Sequence, residues 1–153
     1  MSSKYKYINF NSGILDNIID AIYVITLEKS HRLKNVYKQI NDLKLCKTNI
    51  IQINKKYKEY YINELYKQIS SYHLYYNNIQ IFKHAKKNNY NNILILEDDF
   101  IFTEDIKNKN LIKDLEKFTK TTDFNLLYLG CAPILLLPTI NIKFLYLLFG
   151  STT

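Results

Sequence analysis

With 153 residues and 47% apolar composition, the chain is long enough for one compact domain with a core and too short for two comfortable ones. The formal charge of +7 comes from lysine, with Arg32 as the only arginine; together with abundant asparagine, isoleucine and tyrosine this reads as compositional bias rather than a built phosphate-binding face, and it argues against a nucleic-acid partner. Cys46 and Cys131 lie far apart without paired spacing, which speaks against a zinc knuckle or a disulfide framework and for a reducing, cytoplasmic setting.

In chain order, residues 1–20 read as an N-terminal extension, and "MSSKYKYINFNSG" lacks the apolar core of a secretory signal. "AIYVITL" (21–27) is rich in β-branched and aromatic residues and predicts a buried strand. Ser30 is placed to cap the helix that follows, where Leu33, Val36, Tyr37, Ile40 and Leu43 form a stripe at helical spacing. "TNIIQI" (48–53) is a second strand, and the order strand, helix, strand predicts an α/β domain with parallel strands and a ligand crevice at their C-terminal ends.

From 56 to 88 the spacing of Tyr57, Tyr61, Leu65, Ile69, Ile79 and Phe82 fits helices, with a break near Ser70 and Ser71. A polar turn at 88–92 leads into "ILIL", a third strand too continuously apolar to be half exposed. A helix is expected between Asp105 and Phe118, then strands at "FNLLYLG" and "IKFLYLLFG". In "APILLLPTINIKFLYLLFG", Pro138, Asn141 and Lys143 interrupt the run before the roughly 20 apolar residues of a membrane span. A sheet edge at "FLYLLFG" would be sticky enough for pairing with a second copy.

The third strand runs into three acids, Glu97, Asp98 and Asp99. In an extended chain Glu97 and Asp99 share one side and Asp98 faces the other. Two carboxylates held together at a strand mouth take up protons or recruit a cation, and oxygen-only ligands suit magnesium or manganese, which keep positions open for water and phosphate oxygens. The plain alternative is a solvated loop near a helix N-terminus. A receiver-like phosphoacceptor pocket is disfavoured, because such a domain carries acids after its first strand and "AIYVITL" is followed by none of that kind.

Two stretches together resemble glycosyltransferase family 25, the group of lipopolysaccharide biosynthesis transferases and procollagen galactosyltransferases. "IYVITLEKSHR" is similar to that family's opening strand and loop and "ILILEDDF" to its acidic motif; "IFKHAKKNNYNNILILEDD" also fits, with Phe82 where the family usually has tryptophan, and "FNLLYLG" resembles its next strand. The resemblance covers roughly residues 21–150, so that 21–153 would form the nucleotide-sugar-binding domain. It implies a GT-A type fold, a Rossmann-like α/β sandwich with a mostly parallel sheet and flanking helices. It further implies a metal-dependent transfer of sugar from a nucleotide-sugar donor, a UDP-sugar first, to a hydroxyl of a glycan or protein. Asp99 would hold Mn2+ or Mg2+ against the diphosphate, Glu97 would contact ribose, a metal-bound water or the metal, and Asp98 would shape the site. Thr26, Leu27 and Glu28 would border base and ribose, and Arg32 would pair with a phosphate unless Glu28 and Arg32 form a local ion pair.

The chain also departs from the family. The Ser-His pair expected upstream of Phe82 is replaced by Asn77 and Asn78, and His73 is out of register. The family's acceptor-facing residues would follow Thr153, and no catalytic base is assigned. A relative that has lost catalysis and serves as a binding module is the alternative function.

Overall fold

Strand formation is strongest where β-branched residues gather, and Ala21–Leu27 is the central strand of the structure. The computed structural model describes residues 4–54, 70–122 and Leu127. These fall into two compact units, Met1–Asp99 and Phe100–Thr153. In the first unit the elements are β1 (Lys4–Asn9), β2 (Ala21–Leu27), α1 (Leu33–Leu43), β3 (Thr48–Asn54), α2 (Ser70–Lys87) and β4 (Ile93–Glu97). They build a mixed α/β layer around a four-stranded open sheet of order β1-β3-β2-β4. β2 runs parallel to both β3 and β4, while β1 lies antiparallel on β3. Residues 4–9, part of the extension expected from the sequence, thus belong to the sheet.

Alternation along β2 divides the core. Ala21, Tyr23 and Ile25 pack with Ile50 and with Ile81 and Ala85 of α2, and Tyr5, Leu74, Tyr90, Ile93 and Ile95 close over them. Ile22, Val24 and Thr26 point to the opposite face, where α1 lies with its buried Val36 and Ile40. On that face the Lys6 ammonium lies 4.8 Å from the centre of the Tyr37 ring.

The apolar stripe of α2 differs from the one expected. Ile81 and Ala85 are buried, whereas Phe82 is 49% exposed, because the face turned to the sheet passes through Leu74, Asn77, Ile81 and Ala85. Tyr57, Tyr61, Leu65 and Ile69 lie outside the described residues, as do the strands expected at "FNLLYLG" and "IKFLYLLFG" apart from Leu127. β4 is also less buried than its continuous apolar run implies. Ile93, Leu94 and Ile95 are only partly covered, since among the described residues β4 pairs with β2 alone.

Local chemistry sets the joints. α2 ends in a Schellman turn in which Asn89 takes the left-handed conformation (φ 58°), with Tyr90 N–H on the Ala85 carbonyl and Asn89 N–H on that of Lys86. Both Asn91 N–H and Asn92 N–H then donate to the Asp20 carboxylate, which ties the start of β4 to the start of β2. Under β1, His84 lies among tyrosines: its Nδ1 is 2.7 Å from the Tyr23 hydroxyl, its Nε2 is 2.9 Å from that of Tyr7, and its ring stacks on Tyr5.

In the second unit a 3-10 turn, Glu104–Lys107, precedes α3, Lys109–Thr121. The single helix expected from 105 to 118 is therefore two elements. Asn108 causes the break: its backbone is extended and its side chain accepts from Asn110 N–H, the N-cap role asparagine favours. No helix among the described residues is long and apolar enough to cross a membrane.

Candidate functional site

The sheet order positions a crevice. From β2 the chain passes through α1 to β3 on one side, then returns by way of α2 across β2 to β4 on the other. The C-terminal ends of β2 and β4 are neighbours whose connections diverge, and open α/β sheets offer a ligand cleft at such a place. A crevice of about 630 Å³ opens there, floored by Ile25, Thr26 and Leu27, with Ser30, His31 and Arg32 on one side, Glu97 and Asp98 on another, and Leu74 and Asn77 from α2. Its size falls within the few hundred to about 1,000 Å³ typical of small-molecule sites.

Asp98 is the hub of this corner. Its Oδ2 accepts the Thr26 hydroxyl at 2.7 Å and the Ser30 hydroxyl at 2.6 Å. Its Oδ1 takes Arg32 Nη1 at 3.4 Å, and the same nitrogen stands 3.6 Å from Asp99 Oδ2. Ser30 was expected to cap α1; it instead accepts Arg32 N–H while donating to Asp98, and Arg32 occupies the cap position without a side-chain cap bond. The loop after β2 is thus latched to the turn after β4. No acidic residue lies in the first turn of α1, so the positive end of its dipole is not neutralised by its own side chains.

The three acids are not equivalent. β4 ends at Glu97, and Asp98 and Asp99 form a turn, so strand alternation does not carry on to Asp99. Asp98 and Asp99 share Arg32, whereas the Glu97 carboxylate has no hydrogen bond to any described residue. Its carboxyl is raised above the usual range, first by desolvation against the crevice wall, then by the charges of Asp99 and Asp98, with Arg32 opposing, although the residue as a whole is exposed. The crevice therefore carries a cationic side (Lys29, Arg32) facing an anionic one.

Among the described residues no three His, Cys, Asp or Glu side chains are grouped to hold an ion. What fits is narrower: hard oxygen donors, the Glu97 carboxylate with Asp99 nearby, would suit an ion that takes one or two carboxylates and completes its shell with phosphate oxygens and water.

Of the residues singled out from the sequence, Thr26, Leu27, Arg32, Glu97 and Asp98 line the crevice, and Asp99 adjoins it through Arg32. Glu28 does not: it is exposed, its N–H bonds the Asn54 carbonyl, and it forms no ion pair with Arg32. Ser30, Leu74 and Asn77 were not anticipated as site residues. Asn77 stands where the Ser-His pair of the resembled family was sought, so that position does face the crevice. For Ser30 the available signal was two hydroxyls four residues apart, Thr26 and Ser30, on the loop that follows a strand.

A smaller hollow of about 350 Å³ lies along α3 between Lys113, Lys117, Lys120 and Glu116. It is the solvated face of a single helix and collects no convergent chemistry. Comparison with family models, with curated proteins and with solved structures finds no match to this chain.

Proposed function

We propose that the unit Met1–Asp99 is the donor-binding core of a metal-dependent glycosyltransferase with a GT-A type, Rossmann-like layout, taking a nucleotide sugar whose diphosphate lies across the crevice. The observation that carries this reading is the division of charge at the C-terminal ends of β2 and β4. An arginine fork and a helix N-terminus stand on one side and an unpartnered carboxylate on the other. A ligand that is anionic itself and arrives with a divalent cation satisfies both sides; a simple anion or a simple cation satisfies one.

In this reading Thr26 and Leu27 border the nucleoside, and Arg32 binds a diphosphate oxygen and offsets the charge that grows on the leaving group. Leu74 and Asn77 form the α2 wall that limits water. Glu97 and Asp99 would hold Mn2+ or Mg2+, which supplies Lewis-acid stabilisation of the departing nucleoside diphosphate. The acceptor is a hydroxyl of a glycan or protein. Glu28, outside the crevice, takes no part.

The test is a thermal-shift titration with UDP, with and without manganese, on the wild type, Arg32→Gln and Asp99→Asn. UDP is expected to stabilise the wild type, more strongly with manganese; Asp99→Asn loses the manganese increment and Arg32→Gln loses most of both. A folded wild type that shows no shift at about millimolar UDP refutes the reading and leaves the non-catalytic binding module.

A further inference from the structure

The arrangement around Asp98 leaves its carboxylate little capacity for a ligand. Oδ2 already accepts two hydroxyls, Oδ1 faces Arg32, and the side chain is only 15% exposed. Arg32 is the opposite case. It meets both aspartates through Nη1 alone, its side chain is 48% exposed, and its Nη2 and Nε have no partner among the described residues. A guanidinium tethered by one nitrogen keeps the rest of its fork free for two parallel bonds to a phosphate.

We propose that Asp98 is a positioning residue for anion binding: it does not touch the ligand, but fixes the Thr26–Ser30–Arg32 loop so that the open edge of the Arg32 guanidinium faces the crevice. The proposal rests on the reading that the crevice takes a diphosphate. It makes a prediction opposite in sign to simple electrostatics. Removing a negative charge beside an anion site strengthens anion binding if only charge matters. Removing the anchor of a long, rotamer-rich side chain weakens it, since the ligand must then order the arginine itself.

Pyrophosphate with EDTA present is the probe, titrated calorimetrically into the full chain as wild type, Asp98→Asn, Arg32→Gln and the double variant. Asp98→Asn is expected to bind about tenfold more weakly, the upper range for ordering one such side chain. Arg32→Gln binds at least as weakly, and adding Asp98→Asn to it causes no further loss, because residues acting through one another are not additive. Tighter binding by Asp98→Asn, or losses that add in the double variant, overturns the proposal while leaving the diphosphate reading intact. Should Asp98→Asn fail to fold, Ser30→Ala serves: it loosens the loop without altering any charge, and unchanged pyrophosphate affinity overturns the proposal. If the folded wild type binds neither pyrophosphate nor UDP with manganese, the diphosphate reading fails and the positioning role with it.

Discussion

Replacing Thr26 by valine separates the hydroxyl from the shape of the side chain. Thr26 is 3% exposed on the central strand, and its hydroxyl bonds the Asp98 carboxylate at 2.7 Å. A hydrogen bond to a charged acceptor contributes about 1.5–3 kcal/mol. Two features of this corner pull the cost to the lower end: Asp98 retains the Ser30 hydroxyl at 2.6 Å and Arg32 at 3.4 Å, and valine fills the vacated volume without leaving a buried donor unpaired. Thr26→Val should therefore destabilise by about 1–2 kcal/mol, and Ser30→Ala by less, because Ser30 is only partly buried and water replaces its bond. Urea denaturation followed by circular dichroism measures both, with the midpoint shift at unchanged slope giving the free energy. If Thr26→Val lies within about 0.5 kcal/mol of wild type, or if Ser30→Ala costs more, the Asp98 latch is not what holds the ends of β2 and β4 together.

Gly13→Ala should cost about 1–3 kcal/mol by overpacking, because an added Cβ would lie 2.5 Å from Cys46 N, 2.6 Å from its carbonyl carbon and closest of all to its Cα, all backbone atoms; an unchanged melting temperature would refute this. Burial pushes the Cys46 thiol up to about 11, so the native protein should resist alkylation there at neutral pH and become reactive in urea, read by mass spectrometry of the Cys46 peptide. His84 is held below the ordinary histidine value of 6.5, first by burial and then by the Lys87 charge. The stability it contributes is therefore complete above that value and declines as pH falls through the lower folded-state value. Denaturation from about pH 8 down to about pH 5 should show this decline, and His84→Asn should flatten it; an identical profile in the variant would exclude His84 as its source.

Some of the fold was legible because period and composition agree with tertiary demand. "AIYVITL" is strand-like by residue type and is buried on both faces, and the Leu33–Leu43 stripe became α1, although its N-cap is Arg32 rather than the expected Ser30. Burial of β4 was misread for a physical reason: a run of apolar residues reports what a strand can bury, while its coverage depends on neighbours that the run does not contain. The α2 stripe shifted from Phe82 to Ile81 and Ala85 since aromatic residues score as apolar in a helical pattern whether or not they face the sheet. The part taken by Lys4–Asn9 was hidden too, as a short antiparallel edge strand rich in lysine looks like a solvated tail until β3 supplies its ladder.

The site shows the same boundary between local and non-local information. That acids after a strand end lie at a crevice in an α/β layout could be inferred from the succession of strand, helix and strand; the order β1-β3-β2-β4 could not. Which acid does what could not, because the distinction among Glu97, Asp98 and Asp99 is made by residues 65 or more positions away. Thr26, Ser30 and Arg32 converge on Asp98, and Arg32 reaches Asp99 as well. Alternation alone pairs Glu97 with Asp99, yet the chain turns after Glu97 and pairs Asp99 with Asp98 through a guanidinium instead. The consequence is chemical. The carboxylate without a side-chain partner among the described residues is the one that ends the strand, and the solitary arginine of a lysine-rich chain stands where lysine, a point charge without a planar fork, could not bridge two acids and still present a second edge to an anion. Arg32→Lys should consequently retain the charge of the loop and lose the affinity for pyrophosphate, and a lysine variant binding as tightly as wild type would show that charge alone, without the fork, suffices.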